Sequence, residues 1–104
     1  MALTRSFKET VQERALEDKA FRHGLLTEAV NHLLIGDLVM GKALLRDMVN
    51  ATIGFPALGK ALNKSPKSLM RMLSTEGNPK ADSLFAVLAA LQTHEGIKLE
   101  TRAA

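Results

Sequence analysis

Apolar positions along this 104-residue chain recur at three- and four-residue spacings almost from end to end, a helical period broken in five places. The breaks fall at Gly36 and Asp37, at residues 50–56, 63–66 and 76–80, and at Gly96, so the pattern predicts an all-α chain of five to six helices. Ser6 and Glu9 have the spacing of a capping box for the first helix, which turns Phe7 and Val11 inward. Asp18 caps the second. In it, Phe21, Leu25, Ala29 and Leu33 form one stripe and Leu26, Val30 and Leu34 a second beside it, a width that predicts a central helix. The third starts near Asp37 and presents Leu38, Gly41, Leu45, Met48 and Val49. Gly24 and Gly41 each cost about 1 kcal/mol inside a helix, and close helix packing would account for both.

Residues 55–80 carry the sharpest local pattern, two short apolar-striped helices joined by a tight turn. Paired helices that meet steeply crowd one another beside the turn, so small residues are needed at fixed places. Leu58 and Leu62 share a face, and Gly59 between them offers no side chain where the second helix approaches. Asn63 suits the left-handed conformation that ends the first helix. Ser65 reads as the N-cap of the next, with Pro66 at its first position, where a missing N–H costs nothing. Leu69, Met72 and Leu73 then turn inward, leaving Lys67, Met70, Arg71 and Ser74 on the opposite face of a helix spanning residues 66–74. Asp82 opens a further helix carrying Leu84, Val87, Leu88 and Leu91 toward the core, and Gly96 ends it. Ile97 and Leu99 alternate with Lys98 and Glu100, the period of a short C-terminal strand over residues 97–101. Such a strand pairs with its copy across a dimer or docks on its own domain; the alternative is a disordered tail.

Charge separates the two halves. Residues 1–51, an N-terminal helical region expected to pack on the same core, hold seven Lys/Arg and seven Asp/Glu. Residues 55–80 hold five bases, Lys60, Lys64, Lys67, Arg71 and Lys80, against Glu76 alone, although the whole chain is only +3. A localised basic patch is the footprint of a polyanion partner. With no Trp or Tyr and four Phe, the stacking platforms of single-strand binders are missing, so duplex DNA is the better match. Residues 52–104 are therefore read as the DNA-binding region. Lys67 and Arg71, one turn apart, reach toward base edges, with Arg71 suited to a bidentate guanine contact and Met70 to a thymine methyl. Lys60, Lys64 and Lys80 lie along phosphates, and the N–H groups that follow Ser65 add a backbone anion site.

The run SPKSLMRMLSTEGNPKADSLFAVLAALQ, with LGKALN before it, resembles the helix-turn-helix of lambda-repressor-like regulators of the HigA-type antitoxin group, and LLRDMVNATIGF resembles the segment leading into that domain in prophage-associated members. The resemblance covers about half the chain. It implies a lambda-repressor-like domain with an N-terminal helical extension, a homodimer that represses its own operon, and a ribonuclease-type toxin as a partner. The family places a small residue four before the turn and a glycine in it, positions held here by Gly59 and Asn63, while the apolar residue usual after the turn is Lys64. Lys67 and Arg71 carry over as groove contacts, Ser65 and Ser68 as phosphate or base contacts.

Other chemistries are poorly represented. GFPALGKA, residues 54–61, nearly spells a phosphate-binding loop, but Ala61 replaces the metal-binding hydroxyl and no buried strand precedes it. His23, His32 and His94 lack metal-ligand spacing, no cysteine is present, and no nucleophile, base and orienter stand together, so neither catalysis, metal nor cofactor is expected. No apolar run approaches a membrane span or a secretory signal, which points to the cytoplasm. The competing reading is a protein-interaction module built on the neutral half and its methionines.

Overall fold

The computed structural model describes Thr10, Glu13, Arg14 and residues 17–104, and within them the fold is all-helical. The Ser6–Glu9 capping box and the inward Phe7 and Val11 lie outside the described residues. Five helices follow. Helix α1, Lys19–Leu34, starts where the Asp18 carboxylate accepts the Phe21 N–H at 3.1 Å. Helix α2, Leu38–Ala51, is capped by Asp37, which accepts the Met40 N–H at 3.2 Å. The bend between them turns on Gly36, at φ +84°, a backbone state glycine reaches without strain. Helix α3, Phe55–Leu62, is followed by α4, Pro66–Met72, and α5, Ala81–Glu95.

One core joins them. Leu26, Leu45, Met48, Leu58, Leu69, Leu73, Val87 and Leu91 are fully buried in a single cluster drawing on all five helices or their ends. Each side chain so buried contributes about 1.5–3 kcal/mol, which fixes the short α3 and α4 far better than their own length could. The α1–α2 pair packs along its length, α3 packs on α4 and α5, and α2 touches α3.

Several expectations are corrected. No strand forms among the described residues: 97–104 run irregularly, and the Leu99 N–H donates to the Gln92 side chain at 2.8 Å instead of to a ladder. The alternation is real, because Ile97 and Leu99 pack on the core while Lys98 and Glu100 face out, but an extended segment docked on helices produces that period without a partner strand. Leu34 and Leu38 are exposed, since they flank the α1–α2 bend where the described residues leave the corner open. Asp82 does stand in the first turn of α5, as expected of the residue that opens this helix, its carboxylate accepting the Ser83 N–H at 2.7 Å near the positive end of the helix dipole. Close packing explains Gly41, where a Cβ would meet Leu33 Cδ2 at 2.5 Å, but not Gly24, which has nothing within 4 Å. No helix among the described residues is long and apolar enough to cross a membrane.

Candidate nucleic-acid interface

The turn between α3 and α4 is built from backbone hydrogen bonds that the sequence makes easy. Asn63 adopts φ 54°, ψ 46°, and the Asn63 and Lys64 N–H groups return to the carbonyls of Lys60 and Gly59 at 3.3 and 2.9 Å. This wrap lays the Lys64 carbonyl oxygen 2.6 Å from where a Cβ on Gly59 would stand, so the small residue is required by backbone, not by a side chain. The Lys64 side chain is exposed to solvent and adds no apolar contact at this corner.

The next residue, Ser65, at φ −71° and ψ 145°, accepts the Ser68 N–H on Oγ at 3.1 Å and starts α4, with Pro66 at its first position. Leu69 and Leu73 are fully buried and Met72 packs against the same core. The helix is thereby held with one face inward, and Lys67, Ser68, Met70 and Arg71 are exposed on the other. It ends at Met72, two residues short of the expected 74.

The predicted residues fall into three places. Lys60, Asn63, Lys64 and Ser65 line a hollow at the turn. Lys64, Ser68, Arg71 and Lys80 surround a groove between α4 and the start of α5, with Asn78 and Ser83 also on its wall and Glu76 on its rim. Lys67 and Met70 line neither hollow. Ser74 is half-buried, and its hydroxyl donates to the Arg71 carbonyl at 2.7 Å, which leaves it only acceptor capacity and a poor contact for phosphate. The backbone anion site expected after Ser65 is also thin: Pro66 has no N–H, and that of Ser68 is taken by the cap.

Sequence reading missed two cations. Lys42 is buried on α2, its Nζ donating to the Gly77 carbonyl at 2.6 Å and the Thr75 carbonyl at 3.5 Å, and Arg46 Nη1 donates to the Leu73 carbonyl at 2.9 Å. The available signal was their spacing, because residues four apart beside the inward Leu45 and Val49 sit at the edge of the core stripe. Comparison with protein-family models, curated proteins and solved structures finds no match to this chain, so the interface is read from its geometry. That geometry offers exposed cations along one helix and its flanking groove, suited to the spaced charges of a polyanion.

Proposed function

We propose that the chain is a sequence-specific duplex-DNA-binding regulator that lays α4 in the major groove as the second helix of a helix-turn-helix. The observation that carries this reading is the two-sidedness of α4: Leu69 and Leu73 anchor it in the core while Lys67, Met70 and Arg71 are exposed on the other face of a capped helix. Lys67 and Arg71 read base edges, and Lys60, Lys64 and Lys80 set affinity and register on phosphates. The resemblance to lambda-repressor-like regulators of the HigA antitoxin type agrees with this arrangement. On that reading the protein is a cytoplasmic repressor, binds as a homodimer across half-sites about 34–36 Å apart, and neutralises a ribonuclease-type toxin as its antitoxin.

The test is selection of a preferred duplex from a random pool, followed by titration across salt. Affinity falls with salt at a slope of about −0.9 per phosphate neutralised. Lys64→Ala weakens all duplexes alike and lowers that slope by about 1, whereas Arg71→Ala relaxes preference at one base position by about 1–3 kcal/mol. Absence of duplex affinity even at low salt contradicts the proposal. A second reading, a protein-docking module, is favoured by one observation: Leu34, Ile35, Leu38, Val39 and Met40 form an exposed apolar corner.

A further inference from the structure

We infer that Lys42 and Arg46 are positioning residues for DNA recognition, setting the pose of α4 from behind without touching the duplex. The inference rests on the proposed function and adds to it the device that holds the reading face in place.

Helix α4 has seven residues, two turns, and cannot hold its own direction. Its amino-terminal end is fixed by the Ser65 cap and the backbone crowding at Gly59. Its other end presents carbonyls with no helical partner, carrying the negative end of the helix dipole. Arg46 donates to the last of these, on the C-cap residue Leu73, and Lys42 donates to Thr75 and Gly77 in the segment that follows. The two cations lie one turn apart on the same side of α2, whose Leu45, Met48 and Val49 are fully buried, so both reach out from a fixed base.

Two features make this a clamp with one setting. The Lys42 ammonium is buried, and a buried charge keeps its hydrogen bonds because losing them is costly. Gly77 is packed so closely on the end of α4 that a Cβ would collide with the Arg71 and Met72 carbonyl oxygens, which fixes the path of the segment Lys42 holds. Arg71 lies two residues before one clamped carbonyl and Lys80 three after another, and both border the same groove. A shift at the clamp therefore moves a base-reading and a phosphate-binding side chain together, and misplacement by about 1 Å is enough to lose a directional contact.

The experiment compares Lys42→Met and Arg46→Met with wild type, since Met keeps an unbranched stem and removes the donors. Probes are a short duplex selected by the wild type and one of random sequence, each titrated across salt, with amide hydrogen exchange on the free proteins. The expected result is a loss of about tenfold in the ratio of selected to random affinity, the scale of one directional base contact, at an unchanged salt slope. Exchange should accelerate at the Leu73, Ser74 and Gly77 amides, whose acceptors are Leu69, Arg71 and Ser74, with α5 unaltered. A slope lowered by about 1 would mean that the cation meets phosphate itself and would overturn the inference. So would an unchanged ratio, or exchange quickened equally throughout. If Lys42→Met does not fold, the partly exposed Arg46 decides by the same readings. A wild type indifferent to duplex removes the proposed function and this specificity role with it, while exchange still reports separately whether the clamp exists.

Discussion

Hairpins α1–α2 and α3–α4 follow the same local plan yet offer different surfaces. Each turns on a residue at positive φ, Gly36 in one and Asn63 in the other, and each starts its second helix with a side-chain cap, Asp37 or Ser65. Each also has a glycine where its two helices come close, Gly41 or Gly59. The first bend exposes Leu34, Ile35, Leu38, Val39 and Met40, and the second exposes Lys60, Lys64, Lys67 and Arg71. Turn chemistry thus makes a hairpin, whereas the residues left over after turning and packing decide what it can meet. A further difference lies in stiffness: Gly41 faces the movable end of Leu33, while Gly59 faces the Lys64 carbonyl, which cannot yield without shifting α4.

That contrast breaks most sharply at the glycines. Gly59→Ala should cost about 2 kcal/mol net in chemical denaturation, the clash outweighing the roughly 1 kcal/mol that alanine gains in a helix. Gly41→Ala should cost less than half of that, because Leu33 can change rotamer. Equal losses would show that the two crossings are equally rigid. Ser65→Ala and Asp37→Ala should each remove about 1 kcal/mol of stability, but only Ser65→Ala should also weaken duplex binding, which a filter or anisotropy titration reads directly. The smallest effect is expected at Gly24, where space is open: Gly24→Ala should stabilise by about 0.5–1 kcal/mol, and a loss there would mean that the helix is more crowded than it looks.

What was legible in the sequence was short-range chemistry. Asn63, Ser65 with Pro66, Asp37 and Gly96 each act on atoms within a few residues, so their roles follow from spacing alone, and the same holds for the inward set Leu69, Met72 and Leu73. The sequence reading erred where the deciding partner lies far along the chain or is missing. The carbonyls that hold Lys42 and Arg46 are 27 to 35 residues away, and in sequence both side chains pass for ordinary solvated charges. Leu34 and Leu38 continue an apolar stripe past the point where neighbouring helices stop covering it. Ile97 and Leu99 show the burial pattern of a strand without its hydrogen bonds, because period two reports an extended chain and not its pairing. At the candidate interface the basic face of α4 was readable, while the groove joining Lys64, Arg71 and Lys80 needed the path of residues 73–80.

The most direct test of the central claim, that duplex DNA meets the exposed face of α4, is to follow backbone amide shifts of the isotope-labelled chain as a selected duplex is added at low salt. Perturbations should concentrate on residues 63–74 and at Lys80, with residues 34–40 silent. Perturbations confined to residues 34–40, or none at Lys67 and Arg71, would contradict the claim.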